Sequence, residues 1–285
     1  MIVEALQWVL TPAPRWARRA GYLRELISIQ AQHRRWRRQW APHLQQSKDA
    51  IRIAMARCTT RRHAMVYGSG LLLDIPLAEL AACFERVTLV DVAHLWPTRL
   101  AVRRFPNVTL VARDISGVAD GLLEGAAQGA DRPPQPQPKL PQDYSSVDFL
   151  VSANVLSQLA VTPLRFLSRH IVLPEEEALR FAADMAQSHL VHLRQFDAIC
   201  CLVTDTRRET LSRDGAVHNA EEQLPGIQLP PHDCSWDWEI APRGEISTEY
   251  SVRARMLSVT ILPQNDGSGR QNGAGGRLDT VWRRA

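Results

Sequence analysis

The sequence lacks three features that would place it in other classes of protein. No apolar run approaches the roughly 20 residues that a membrane-spanning helix needs. The 5 cysteines show neither a Cys-x-x-Cys pair nor the Cys/His spacing of a metal site, and their odd number does not fit complete disulfide pairing. The first residues lack the basic lead and the cleavage pattern of a signal peptide. We therefore expect a cytoplasmic protein with reduced cysteines and no metal.

Positive charge is concentrated at the start of the chain. The whole chain carries +4, yet residues 1–62 contain 13 Lys or Arg against 3 acids. Arginine is interleaved with tryptophan at residues 34–40, where Trp36 and Trp40 lie one helical turn apart. A basic face with flat aromatic rings can bind nucleic acid or an anionic membrane surface. Alternatively, the tryptophans dock helices onto a sheet while the arginines stay in solvent, an interpretation we favour because helices need such anchors to pack.

A buried strand followed by a glycine turn opens the next part of the chain. The apolar run at residues 64–67 ends in Gly68-Ser69-Gly70, which lets the backbone turn sharply and approach a ligand. Asp74 and Pro76 then have the positions of a helix N-cap and first turn. This order predicts a βαβ unit with a ligand pocket at its turn, although the glycines alone are also explained by a simple strand-to-helix turn.

Three more predicted strands end in polar residues. Residues 87–91 end on Asp91, residues 108–111 lead to Asp114, and residues 147–151 lead to Asn154. In a parallel α/β sheet a ligand lies beyond the carboxyl ends of the strands. An acid about 20 residues after a glycine turn can accept hydrogen bonds from both ribose hydroxyls of a cofactor. Each residue is also explained as a strand-end or helix cap, and the joint pattern is what favours a ligand site.

The order and spacing of these motifs resemble class I S-adenosylmethionine-dependent methyltransferases over about residues 64–205. The resemblance implies a Rossmann-like, doubly wound α/β fold with a mostly parallel, seven-stranded sheet and an N-terminal helical extension that covers the cleft. It implies methyl transfer from S-adenosylmethionine to an acceptor that is a small molecule or a lipid-like metabolite. The cofactor-binding residues that it implies are Gly68, Ser69, Gly70, Asp91, Asp114 and Ile115, with Asn154 beside the site of methyl transfer.

The glycine motif departs from the family pattern at two positions. Val66 stands where the family usually has an acid, and Leu72 stands where it usually has a third glycine, which would crowd a tight turn. A non-catalytic descendant of the fold, with a blocked or empty pocket, is therefore one alternative function. A nicotinamide-dependent Rossmann enzyme is another, but its full G-x-G-x-x-G is absent because Leu73 occupies the third glycine position. RNA binding or modification through the basic segment is a third.

The domain organisation follows from these patterns and from composition. We expect a basic helical extension over residues 1–62, a Rossmann-like domain over residues 63–263 and a disordered tail over residues 264–285. The proline-rich stretch at about residues 131–142 should be an exposed linker of polyproline type. Further elements are expected as helices at residues 47–57 and 174–194, a buried strand at residues 198–203, and two antiparallel strands at residues 236–240 and 251–262.

Four titratable residues follow the predicted fifth strand, on the side of the sheet where the substrate should bind. Methyl transfer to oxygen or nitrogen can require removal of a proton, so each is a candidate acid or base. For the histidines, a solvated loop position explains the residue better, and the strand-end acid is equally well explained as a cap. These candidates are Asp205, His218, His232 and Asp233.

Overall fold

The computed structural model describes residues 2–263, which form one eight-stranded sheet with helices packed on both of its faces. The tail at residues 264–285 lies outside the described residues. The strands are β1 His63–Tyr67, β2 Arg86–Asp91, β3 Val108–Ala112, β4 Phe149–Ala153, β5 Ile199–Leu211, β6 Val217–Glu222, β7 Cys234–Ala241 and β8 Ser251–Ile261. The helices are α1 Ile2–Leu10, α2 Arg15–Ala20, α3 Tyr22–Met55, α4 Leu77–Cys83, α5 Trp96–Val102, α6 Ala119–Gln128, α7 Val161–Leu167 and α8 Glu175–Arg194.

The sheet is parallel in its first five strands and antiparallel at its end. Its strand order is β3-β2-β1-β4-β5-β8-β7, and β6 pairs with β5 off this path. The chain winds outward from β1 to β3 and then returns to the other side of β1 as β4, so the winding direction reverses between β1 and β4. The predicted doubly wound, mostly parallel sheet is therefore confirmed, with β6 as an eighth strand that the sequence reading did not include.

Alternating side chains of the central strands build a hydrophobic core on each face. On β1, Ala64 and Val66 pack with α3 and α4, whereas Met65 and Tyr67 pack with α8. All four residues are at most 1% exposed. A strand buried on both faces has to be apolar throughout, which is why residues 64–67 form a continuous apolar run rather than an alternating pattern.

The N-terminal extension is held on the sheet by its tryptophans. Helix α3 is a single long helix that kinks at Trp36, within two turns before Pro42. Its last part, which ends at Met55, replaces the separate helix that was expected at residues 47–57. Trp40 is 3% exposed, and its indole packs edge-on against Trp238. Trp36 donates a hydrogen bond to Glu245. The docking role predicted for these two tryptophans is confirmed.

Strand β5 extends well beyond the buried strand that was expected at residues 198–203. Its second half is polar, and it forms a ribbon with β6 and β8 in which charged side chains pair across strands. Arg253 of β8, for example, donates to Glu209 of β5 at 2.7 Å. The apolar pattern marked only the part of the strand under the core, so both the extension and β6 were missed.

Two further expectations need correction. Asp74 does not cap a helix, because α4 begins three residues later, at Leu77, and the Asp74 carboxylate accepts a hydrogen bond from Asn154 instead. The proline-rich stretch has no regular secondary structure, but it is partly packed rather than fully exposed. The Gln137 carbonyl oxygen lies so close to Gly117 that a Cβ atom there would be only 2.0 Å away.

Within residues 2–263, every helix is too short or too polar to span a lipid bilayer.

Replacement of Gly117 by alanine should destabilise the protein more than the same change at Gly129. Both glycines have a positive φ, 71° and 70°, but a Cβ at Gly129 meets nothing within 4 Å. The left-handed conformation alone should cost Gly129→Ala about 1–2 kcal/mol. Gly117→Ala should lose about 1–3 kcal/mol more, because the proline-rich segment must shift to make room.

Urea unfolding of the two variants beside the wild type measures this difference directly. Equal losses of unfolding free energy would show that the proline-rich segment does not pack on Gly117.

Candidate functional site

A cavity of about 410 Å³ lies beyond the carboxyl ends of the parallel strands. It opens where the winding direction reverses, between Gly68 at the end of β1 and Asn154 at the end of β4. Helix α3 covers it from above with residues from Tyr22 to Leu44. Ligands of doubly wound sheets bind at this reversal point, and the volume is within the range of small-molecule sites.

The glycine turn brings backbone, rather than side chains, to the cavity. Gly68 has φ +74°, and a Cβ there would lie 2.2 Å from the Val155 side chain and 2.5 Å from the Ala153 carbonyl oxygen. A side chain at this position would therefore push β1 away from the end of β4. Gly70 also lines the cavity. Ser69 is fully buried, its hydroxyl bonds to His94 at 3.2 Å, and it does not line the cavity, so the structure does not bring it to the site with the two glycines.

The turn forms although Leu72 stands where the methyltransferase pattern usually has a third glycine. Leu72 adopts a φ of +59°, in the left-handed region that glycine usually occupies, and its N–H donates to the Ser69 carbonyl at 2.9 Å. This conformation costs a non-glycine residue roughly 1–2 kcal/mol. The Leu72 side chain packs against the main hydrophobic core and offsets part of that cost.

Asp91 lies at the end of β2 and holds the turn in place. Its Oδ2 accepts a hydrogen bond from the Gly70 N–H and its Oδ1 accepts one from the Val92 N–H, both at 2.7 Å. Burial raises the pKa of the Asp91 carboxyl to about 6, even though these backbone donors favour the charged form. A carboxylate has about four acceptor positions, so capacity for further hydrogen bonds remains.

Asp74 and Asn154 form a second polar pair on the cavity wall. The Asn154 amide donates to the Asp74 carboxylate at 2.6 Å, and burial raises the pKa of Asp74. Asn154 has a φ of +53°, and its Oδ1 is buried without a hydrogen-bond partner among the described residues. In the glycine motif, Val66 stands in place of an acid, and its side chain is buried in the core. Asp74 instead brings a carboxylate to the cavity.

Asp114 and Ile115 line the cavity after β3. The Asp114 carboxylate accepts hydrogen bonds from the backbone N–H groups of Ser116 and Ala119, at 2.8 Å and 2.7 Å. It therefore caps the segment that leads into α6, which is the structural alternative considered from the sequence. Ile115 presents an apolar surface beside it.

His43, a residue of α3 that follows the kink at Trp36 by two helical turns, was not predicted from the sequence. His43 is 2% exposed, stacks on Trp238 at 3.9 Å with an angle of 7°, and lines the cavity. Its Nδ1 accepts a hydrogen bond from the Trp236 indole N–H at 3.1 Å. Burial lowers the pKa of His43 to about 3, so the ring is neutral. Its spacing from Trp36 and Trp40, on the same helical face, was the available signal.

Of the four acid or base candidates, only Asp205 is connected to the cavity. Its Oδ2 accepts a hydrogen bond at 2.7 Å from Arg208, which lines the cavity. Asp233 pairs with Arg57 at 3.2 Å, and His218 packs on Tyr250 at 4.9 Å. His232 is exposed in the loop before β7. None of these three lines the cavity.

Within residues 2–263, no group of three His, Cys, Asp or Glu side chains is placed to hold a metal ion.

Comparison with known proteins gives matches to solved structures alone. No protein-family model matches the sequence, and no curated protein sequence matches it. The fold is similar to that of DhpI, whose structure was solved in complex with S-adenosylhomocysteine, at 12% identity and a TM-score of 0.36. The similarity covers 84% of this chain and 96% of that one. It is also similar to a 1,6-didemethyltoxoflavin-N1-methyltransferase from Burkholderia thailandensis, at 13% identity and a TM-score of 0.42, over 86% and 91% of the two chains.

A third similar structure is the N-methyltransferase NodS from Bradyrhizobium japonicum, at 14% identity and a TM-score of 0.34, over 75% of this chain and 85% of that one. At such identities and TM-scores, similarity carries no information about activity. The fold follows from the sheet itself, with five parallel strands in the order β3-β2-β1-β4-β5, two antiparallel strands at the end, and a glycine turn after β1. The chain has the fold of the class I S-adenosylmethionine-dependent methyltransferases.

Proposed function

We propose that the protein transfers a methyl group from S-adenosylmethionine to a small molecule. The observation that carries this proposal is the convergence of three separate strand ends on one cavity. Gly68 and Gly70 follow β1, Asp91 ends β2, and Asn154 follows β4, and all four line the same space. This is the arrangement that a nucleoside cofactor needs, since it requires close backbone approach and a carboxylate for its hydroxyls.

The polar atoms left over in the cavity fit the groups of this cofactor. Asp91 retains acceptor positions that suit ribose hydroxyls. The unpartnered Oδ1 of Asn154 suits an N–H donor, because an unmet acceptor in a buried site is costly. Asp74 and Asp91 place two carboxylates close enough to interact, which suits a ligand that carries positive charge. The apolar surface of Ile115 suits a flat base.

The chain's own contribution to the reaction is positioning. Bound S-adenosylmethionine supplies a methyl group on a positively charged sulfur that a nucleophile can attack in line. Helix α3 covers the cavity above the strand ends, which reduces the access of water to the reacting groups. Holding two reactants in an attack geometry can contribute about 7–11 kcal/mol, so a conspicuous catalytic side chain is not required. Asn154 is the side chain that we assign to the wall beside the transfer site.

The alternatives receive less support from the observations. A non-catalytic descendant of the fold was expected to have a blocked or empty pocket, and the first of these two conditions is not met, because side chains leave a cavity of about 410 Å³. Binding of RNA through stacked bases would need accessible aromatic rings, but Trp40 is buried and Trp36 is engaged with Glu245. The arginines Arg34, Arg37 and Arg38 line a shallow surface depression and could attract a polyanion by charge alone.

S-adenosylhomocysteine should stabilise the protein against heat, whereas NAD should not. A ligand at 100 times its dissociation constant adds about 2.7 kcal/mol to the unfolding free energy, which corresponds to a rise in Tm of about 5–10 °C. Asp91→Asn should weaken the effect, because an amide cannot accept all the hydrogen bonds of the carboxylate. Asp120→Asn, which changes an exposed acid of α6, is the matched control.

Thermal unfolding with S-adenosylmethionine, S-adenosylhomocysteine and NAD provides this comparison. A rise with NAD alone would favour a nicotinamide enzyme. Absence of any rise would refute cofactor binding. Binding without methyl transfer to any of a broad set of acceptors would favour the non-catalytic alternative.

The affinity for S-adenosylhomocysteine should increase as pH rises from 5 to 7. The pKa of Asp91 in the free protein is about 6, and ribose hydroxyls donate best to the ionised carboxylate. Binding therefore has to release a proton below pH 6, which makes the ligand about tenfold weaker at pH 5 than at pH 7.5. Above pH 7 the affinity should be level.

Isothermal titration calorimetry over this range measures both the affinity and the released proton. The Asp91→Asn variant should lack the pH step, and a wild-type affinity that is constant from pH 5 to pH 7.5 would argue against ribose binding by Asp91.

A further inference from the structure

The wall of the cavity furthest from the glycine turn is built by the antiparallel end of the sheet. A β-bulge at Thr206 shifts the register of β5, so that Asp205 pairs with Met256 and Arg208 pairs with Ala254. Alternate residues of a strand share a face, and Met256 and Ala254 are two residues apart. The bulge therefore places Asp205 and Arg208 on the same face, although they are three residues apart.

Arg208 shares this face with Trp238. Ala254 of β8 pairs with Arg208 on one side and with Trp238 on the other, so the three residues form one row across three strands. Strands in a sheet lie about 4.8 Å apart, which puts the Cα atoms of Arg208 and Trp238 roughly 10 Å from each other. The small side chain of Ala254 leaves space between the two larger ones, and both of them line the cavity.

Hydrogen bonds fix the orientation of the Arg208 guanidinium but leave most of its donors unused. Its Nε donates to Asp205, whose other carboxylate oxygen accepts from the Ser157 hydroxyl. Among the described residues, the two Nη groups have no hydrogen-bond partner. A guanidinium held in this way presents a planar pair of donors, which matches the two oxygens of a carboxylate or phosphate.

Two residues with ring N–H groups, His43 and Trp238, line the same cavity as Arg208. Because Nδ1 of His43 accepts from Trp236, the neutral ring carries its proton on Nε2, which is then a donor and cannot act as a base. The indole N–H of Trp238 is buried and has no partner among residues 2–263. The His43 ring lies flat on the Trp238 ring at 3.9 Å, so the two donors belong to one stacked unit.

We propose that the methyl acceptor carries an oxyanion, a carboxylate or a phosphate, which binds to Arg208 with help from the N–H groups of His43 and Trp238. This inference rests on the proposed function for the identity of the bound molecule as the acceptor. Leu44 and Ile240 also line the cavity and supply apolar contacts for the rest of the molecule. The acceptor class is thus a small apolar molecule with one acidic oxygen group.

Binding of simple probes tests the proposal without knowledge of the natural acceptor. Benzoate and phenyl phosphate represent the two oxyanions, and benzamide and benzyl alcohol are their neutral counterparts. Each probe is titrated by calorimetry into the full chain, both with and without saturating S-adenosylhomocysteine. The wild type should bind at least one oxyanion about tenfold or more tightly than its neutral counterpart, as expected for hydrogen bonds to a charged group.

Arg208→Gln should abolish this preference while the affinity for S-adenosylhomocysteine stays unchanged. Arg207→Gln is the matched control, because Arg207 is the next residue on β5 but lies on the other face, bonded to Glu209. His43→Phe keeps a ring on Trp238 but removes both the Nε2 donor and the Nδ1 acceptor of the Trp236 indole N–H. It should weaken oxyanion binding even if Arg208→Gln fails to fold, and unchanged binding of S-adenosylhomocysteine shows that the variant is folded.

The outcomes for the two sites are separable. Loss of the oxyanion preference in Arg208→Gln, but not in Arg207→Gln, supports the proposal, and the stronger of the two probes identifies the oxyanion. Equal binding of charged and neutral probes, binding of none of them, or an unchanged preference in Arg208→Gln overturns it. If S-adenosylhomocysteine does not bind to the wild type, the proposed function fails, whereas the titrations without it still report on the oxyanion site.

Discussion

The stack of His43 on Trp238 is the contact on which the cavity depends. It joins the middle of α3 to β7, the last strand in the sheet order, and the Trp236–His43 hydrogen bond and the Trp40–Trp238 contact lie beside it. The half of α3 before the kink at Trp36 has its own anchor near the end of β2, where Leu23 and Leu26 pack with Ala93 and Leu95. The roof of the cavity and its far wall are therefore parts of one packing arrangement.

The cavity concentrates features that cost stability. Two non-glycine residues with positive φ, Leu72 and Asn154, flank it, and two half-buried carboxyls with raised pKa values, Asp74 and Asp91, line it. Since burial raises the folded pKa of Asp91 above its unfolded value, the free protein loses stability as pH rises through 6 and this group ionises. Such strain and buried charge collect at functional sites, where a ligand offsets their cost.

The sequence predicted the parts of this site that depend on local patterns. Continuous apolar runs marked the parallel strands, and the polar residues just after them, Asp91 and Asn154, lie at the cavity because strand ends meet at one edge of the sheet. Asp74 was misassigned because an acid just after a glycine turn has the same sequence pattern whether it caps a helix or lines a cavity. The bulge at Thr206 could not be predicted, since no glycine or proline marks it. The helical spacing of His43 indicates a buried face, but its role at the cavity depends on partners almost two hundred residues away.

The long-range docking of α3 has a consequence for the synthesis of the chain. Trp36, Trp40 and His43 bond to residues that follow them by 209, 200 and 193 positions. At translation rates of about 5–20 residues per second, roughly 10–40 s pass between the emergence of this helix and that of its partners. During this time its aromatic face has no sheet to cover it and is a site for chaperones or for aggregation. The first long helix to be made thus depends on some of the last strands, and the cavity is complete only when β7 has joined the sheet through β8.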